Sequence, residues 1–310
     1  MSVRLGLGIG ALPFSGADAF WRWVDYCEAS SVDSLWLSER FVSPQPFLEP
    51  VSALAAIAGR TRRLKFGMNA TVLPLRDPVI LAKECATIDY LSDGRFLPMF
   101  GVGADTAPEW EALGQDTRGR GQRSNEMLAL LTRLWSEDDV DFDGKYYHYR
   151  HVTLSPKPKQ SPLPMWIGGS SDAAIERTAR YGTGWLAGGA QLPAQVSRVI
   201  RTIRARSEEL GRSIDDDHYG AGLNFRFGDW EEPSVQQAAR ALASRMGEGA
   251  DPRTLLAVGD AERIIELVQV FRAVGVTKFV MRPIAADDAE MMEQTRRLND
   301  EVIPYAHKLP

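Results

Sequence analysis

Residues 166–174 read Trp-Ile-Gly-Gly-Ser-Ser-Asp-Ala-Ala. An apolar run stops at two glycines and two serines, and a helical pattern begins at once. Such a strand–turn–helix step is the repeating unit of α/β proteins. The turn itself has two readings. In one, the glycines make a tight turn and a serine caps the helix. In the other, free N–H groups at the helix N-terminus receive an anion, and glycine lets the backbone come close to it.

The same step recurs on both sides. Strand-like runs begin at Arg4 (RLGLGIG), Ser34 (SLWLSE), Leu64 (LKFGMNATVL), Phe96 (FLPMFGVG), Pro164 (PMWIGG), Gly184 (GWLAGG), Tyr219 (YGAGLNFRF) and Lys278 (KFVMRPI). Helical patterns cover 20–29, 48–59, 78–91, 123–135, 173–181, 196–210, 235–246, 262–274 and 289–302. Pro50 sits in a first turn, as proline prefers, and Gly94 provides a left-handed stop. The rhythm breaks at VDFDGKYYHY from Val140, which alternates around an Asp-Gly turn and predicts a surface hairpin. The proline-dense SPKPKQSPLP follows it.

Eight strands mostly separated by helices predict a parallel sheet closed on itself. The expectation is an α/β protein, a (β/α)8 TIM barrel with insertions after strand 4 and around strand 7, with residues 1–310 as a single domain. The rival is an open doubly wound sheet. Its nucleotide fingerprint is missing, because Gly6, Gly8 and Gly10 lie within a strand and no third glycine stands at helix spacing.

Composition narrows the function. Of 310 residues, 44% are apolar and 25% charged, which suits a soluble globular protein. The net charge is -5 with both signs interspersed, so no basic stripe points to nucleic acid. No apolar run reaches the ~18 residues of a membrane span, and the N-terminus is too short and glycine-rich for a signal peptide. Cys27 and Cys85 fall in helical stretches without metal spacing and read as core thiols, which suits a cytoplasmic location. His148, His151, His218 and His307 are scattered, so no metal is expected.

Five segments follow one another in order: DSLWLSERF from Asp33, GMNATVLPLRDPVILAKECATIDYLSDGRF from Gly67, FGVGADTAPEWEALG from Phe100, RGRGQRSNEML from Arg118 and MWIGGSSDAAIERTARYGTGWL from Met165. Together they resemble the bacterial luciferase-like family of flavin- and deazaflavin-dependent oxidoreductases, across residues 3–210 and again at AVGD and KFVMRP. The resemblance implies a barrel with its cofactor at the C-terminal face, and a homodimer. It implies hydride transfer between a deazaflavin, coenzyme F420, and an organic small molecule. The alternative is an FMN-dependent monooxygenase that uses O2 and reduced flavin supplied by a partner reductase. A barrel that binds flavin without catalysis is a third reading.

The family's phosphate turn matches Gly168, Gly169, Ser170 and Ser171. Its non-proline cis peptide, on a bulge behind the isoalloxazine ring, matches Asn69–Ala70, with Thr71 beside it. The chain departs from the family at strand 2, where many deazaflavin members carry Asp-His and this sequence has Glu39-Arg40. Arginine stays protonated, so it serves to polarise a carbonyl or hold an anion. Glu39 exchanges protons if burial raises its pKa; otherwise the pair orders a loop. Glu109 and Asp105 follow strand 4, where family members place polar groups over the ring. Arg118, Arg120 and Arg123 crowd a helix start, a poor place for cations unless an anion offsets them. The seat at 168–171 reads as one built without arginine. Substrate contacts are expected from the loops after strands 1, 2, 4 and 7.

Overall fold

The computed structural model describes residues 3–247 and 249–308. In chain order the strands are β1 (Arg4–Ile9), β2 (Ser34–Leu37), β3 (Lys65–Met68), β4 (Thr71–Val72), β5 (Phe96–Leu97), β6 (Met99–Gly101), β7 (Val140–Asp143), β8 (His148–Val152), β9 (Trp166–Gly168), β10 (Gly184–Ala187), β11 (Tyr219–Phe227), β12 (Leu256–Gly259) and β13 (Lys278–Pro283). The helices are α1 (Ala17–Ala29), α2 (Pro50–Arg60), α3 (Pro78–Leu91), α4 (Glu109–Ala112), α5 (Arg120–Ser136), α6 (Asp172–Tyr181), α7 (Pro193–Glu209), α8 (Pro233–Met246), α9 (Ala261–Arg272), α10 (Asp288–Arg297) and α11 (Ile303–Ala306).

The architecture is α/β. Apart from the antiparallel β7–β8 hairpin, every strand pairing is parallel, in the order β4-β6-β9-β10-β11-β13-β1-β2-β3-β5 with β12 beside β11. The first strand pairs with the last, Arg4 to Leu7 against Lys278 to Met281. The sheet curls on itself, and two of its strands are broken. The run expected from Leu64 splits around Asn69–Ala70 into β3 and β4, and the run from Phe96 splits at Pro98 into β5 and β6. Proline has no N–H for the ladder, so a strand breaks there. Below the break β3 pairs with β5, and above it β4 pairs with β6.

Local chemistry sets the bounds of α3. The Asp77 carboxylate accepts from Val79 N and Ile80 N at 2.9 Å, capping α3 one residue before Pro78. Gly94 follows with φ +80°, the left-handed stop its sequence predicts. β12 is the departure from expectation. Its four residues extend parallel to Asn224–Phe227 of β11, and a run so short carries no period to read.

Packing has two layers. A continuous core between sheet and helices runs from Val3 to Ala306. Inside the curl lies a second cluster of Trp36, Leu97, Met99, Trp166, Leu186 and Val280. Gly184 makes room for the Trp166 ring, since a Cβ there would lie 2.7 Å from it. Beneath this layer, at the N-terminal end of the strands, Lys278 Nζ meets Asp33 Oδ2 at 2.5 Å with both side chains largely buried. A pair shut away from water is tolerable because each charge answers the other. The lumen floor is therefore packed rather than open. No described helix is long and apolar enough to cross a membrane.

Candidate active site

Above the inner cluster, at the C-terminal ends of the strands, a cavity of about 790 Å³ opens. Residues after β1, β2, β6 and β11 line it, the four loops from which substrate contacts are expected. One wall is the break between β3 and β4. The Asn69–Ala70 peptide is cis, and Asn69, Ala70 and Val72 face the cavity. Thr71 does not. It is fully buried, and its hydroxyl donates to Met68 Sδ.

Glu39 ties this wall to the end of β2. Its side chain is 2% exposed, and Oε1 accepts from Val72 N at 2.8 Å. Oε2 accepts from Arg76 Nε at 3.1 Å and Nη2 at 2.5 Å. Arg76 also reaches Glu49, which caps α2. Burial pushes the Glu39 carboxyl up, against the pull of Arg76 and the Val72 N–H. Glu39 is thus committed to the backbone behind the wall.

Arg40 turns the other way, half exposed, with Nη1 3.5 Å from Glu109 Oε1. Glu109 opens α4 and is 3% exposed. Its Oε2 is buried without a hydrogen-bond partner among the described residues. A carboxylate so placed beside a cavity either receives a ligand's hydrogen bond or exchanges a proton with it.

A second cavity of about 90 Å³ is lined by Gly168, Gly169, Ser171, Ala174 and Arg177. Val72 and Gly103 belong to the large cavity and their chain neighbours Leu73 and Val102 to the small one, so the two lie near each other at the ends of β4 and β6. Ser171 Oγ accepts from Ala174 N at 3.3 Å, so the serine is a cap. The cap leaves the N–H groups of Asp172 and Ala173, at the first two helical positions, without carbonyls inside the helix. Gly169 has φ +105°, and a Cβ there would lie 3.0 Å from Ala174 Cβ. Ser170 is exposed and outside the cavity lining.

The expectation of a seat without arginine is corrected. Arg177, on the inner face of α6, is 8% exposed. Its Nε donates to Asn125 Oδ1 at 2.6 Å and Nη2 to the Gly121 carbonyl at 3.3 Å, and among the described residues no carboxylate pairs with it. Burial and nearby Arg120 push its pKa down. Oriented N–H groups, a glycine at positive φ and an unneutralised guanidinium are the donor set for a phosphate, so the residues present fit a phosphorylated cofactor. The sequence signal for Arg177 was weak, because its approach depends on α5 packing beside α6.

Other candidates lie outside this arrangement. Asp116 pairs with Arg118 and Asp105 with Arg120, supplying the anions their crowded helix start requires. His218 precedes β11, at the opposite end of the strands, beside Asp215 and Asp217. Cys27 and Cys85 are buried and free, and burial pushes both thiols up.

A family profile described as luciferase-like monooxygenase matches residues 10–254. The chain belongs to the luciferase-like monooxygenase family. An uncharacterized protein of Mycobacterium tuberculosis (strain ATCC 25618 / H37Rv) is 31% identical over 179 residues, 57% of this chain and 60% of that relative; the match thus spans three fifths of the mycobacterial protein. An F420-dependent glucose-6-phosphate dehydrogenase of Kineococcus radiotolerans is 25% identical over 312 residues, covering 89% of each chain. Among solved structures, a monooxygenase from Streptomyces bottropensis superposes with a TM-score of 0.84 at 19% identity, over 97% of this chain and 99% of the other. An F420-dependent secondary alcohol dehydrogenase gives 0.81 at 17% identity, over 97% and 98%. At these identities the structures establish a shared luciferase-like fold.

Proposed function

We propose that this luciferase-like protein is an oxidoreductase that transfers hydride between coenzyme F420 and an organic small molecule. The observation that carries the reading is the nearness of two cavities: one walled by the Asn69–Ala70 cis peptide, the other lined by the residues at the α6 N-terminus and Arg177. That is room for a flat ring joined to an anionic tail. When bound, the deazaflavin supplies hydride uptake and release at its ring.

The chain's own residues do the rest. The backbone at Gly168, Gly169, Ser170 and Ser171 and the first turn of α6 hold the phosphate, with Arg177 neutralising its charge. Asn69 offers its amide, and Ala70 its small side chain, to the ring. Thr71 contributes from behind, keeping the bulge in place through Met68, and Glu39 does so through Val72. Glu109 moves the proton that accompanies hydride transfer, and Arg40 holds the substrate oxygen on which charge develops.

Further features support finer readings. With β3–β4 and β5–β6 each counted as one broken strand, the parallel ring amounts to eight, a (β/α)8 barrel in one domain. The hairpin region after β6 and β12 after β11 are then its insertions. Ile80 and Leu91, 60% and 64% exposed, lie eleven residues apart on α3 and share a face, which suits a homodimer. Two free, buried thiols suit the cytoplasm.

The alternative is an FMN-dependent monooxygenase supplied by a partner reductase; Arg177 favours it as readily, since a flavin phosphate is also an anion. Titration of the purified protein with F420 and with FMN, followed by visible absorbance, decides. Saturable binding of F420 is expected. Binding of FMN alone selects the alternative, and binding of neither overturns both.

A further inference from the structure

Arg282 lies inside the curl without a counter-ion. Residues alternate along β13, so Val280 faces the inner cluster and Arg282, two residues on, faces the cavity above it. Among the described residues its guanidinium makes no hydrogen bond or ion pair, and its Nε is buried without a partner. Glycines on neighbouring segments lie alongside it. A Cβ at Gly8 would lie 3.4 Å from Arg282 Nε, and Cβ atoms at Gly222 and Gly189 would lie 3.7 and 3.8 Å from Nη1.

Two other arginines taken out of water are answered by carboxylates. Arg76 has Glu39 and Glu49, and Arg226 has Glu232 and Glu290. Arg282 has instead a second cation nearby. Arg245 of α8 lines the same cavity, and its only described bond is Nε to its own helix carbonyl at Ala241, 3.2 Å. Burial and Arg245 both push the Arg282 pKa down, yet arginine starts so high that it keeps its charge at neutral pH. Arg282 is partly buried and Arg245 exposed, and two like charges facing one cavity without an anion favour a ligand that supplies one. Asn224 and Gln237 beside them offer neutral donors.

We propose that Arg282 and Arg245 form an anion-binding end of the large cavity, and that the substrate carries a carboxylate or phosphate that docks there. This end belongs to β13 and α8, away from β3 and α6, so it is distinct from the seat at Gly168–Ser171. That the anion belongs to the substrate rests on the oxidoreductase reading; that the cavity binds an anion does not.

The test is calorimetric titration of the cofactor-free protein at fixed ionic strength. Inorganic phosphate and succinate are the probes, one for each source of anionic oxygen. Gly169→Asp serves as the background in which the cofactor seat is closed. Saturable binding of one probe is expected, weakened about tenfold or more by Arg282→Met. Arg282→Lys is expected to restore part of it, and F420 affinity of Arg282→Met in the otherwise native chain to stay within about twofold. Thermal unfolding confirms that the variants are folded. Unchanged probe affinity in folded Arg282→Met, or no binding of either probe to the parent, overturns the proposal. A probe site lost with Arg282 in a protein that binds neither F420 nor FMN would leave the anion site standing and remove the redox reading.

Discussion

The Oε1 atom of Glu39 accepts the backbone N–H of Val72 at 2.8 Å. This single contact couples the end of β2 to the first residues after the cis peptide. Removing it with Glu39→Ala frees a buried N–H and takes a principal partner from Arg76. A loss of about 3 kcal/mol is expected, with weaker cofactor binding because the ring wall loosens. Glu39→Gln keeps an acceptor for Val72 and should lose less. Urea unfolding and cofactor titration of the two variants check the order.

Gly169→Asp should abolish cofactor binding. The position has φ +105°, its Cβ would press on Ala174, and the new carboxylate would face a phosphate. Arg177→Met removes charge without the clash, so about tenfold weaker binding is expected, with less dependence on salt. Fluorescence quenching measures both. Native affinity in Gly169→Asp would remove the proposed seat.

Glu109→Gln preserves shape but cannot exchange a proton. Turnover should fall by about a hundredfold or more while cofactor affinity stays within about twofold. Arg40→Ala should leave fold and cofactor binding intact and slow turnover. Steady-state kinetics separate the two, and native rates in Arg40→Ala would leave that residue a loop-ordering role.

On the α3 surface, Leu91→Asp places a charge on the exposed apolar face that also carries Ile80. Light scattering is expected to report a dimer for the native chain and a monomer for the variant. A monomeric native protein would end this assignment.

Acid should loosen the support of the phosphate seat. Arg206 of α7 and Arg180 hold the Glu176 carboxyl, on α6, down at about 2, against an ordinary 4.5. A carboxyl depressed in the folded state stabilises the fold above its unfolded pKa, and that contribution is lost as pH falls from 4.5 through about 2. Glu176 is 38% exposed, so solvent screening keeps the effect small. Glu176→Gln should flatten the decline of the melting temperature across that window.

How much of this was legible follows from the range of the forces involved. The bounds of α3 and β11 could be read in full, because caps, prolines and local periodicity fix them. The cis peptide at Asn69–Ala70 was anticipated from resemblance, since nothing in five residues of composition demands it. β12 was passed over because four apolar residues have no period. Arg177 and Arg282 were missed for another reason. Each matters for the partner it lacks, and the absence of a neighbour appears only when distant segments are packed together. The two directions of Glu39 and Arg40, adjacent in the chain yet turned to different tasks, were open alternatives until Val72 and Glu109 were placed beside them.

The sealed base beneath Trp36 and Trp166, closed by Lys278 and Asp33, dictates traffic. Both described cavities lie at the other end, so coenzyme and reactant are expected to share a doorway at the rim. Whichever of them rests deeper has to arrive first and depart last. The kinetics should accordingly follow a compulsory sequence, with the shallower ligand blocking exchange of the one underneath it.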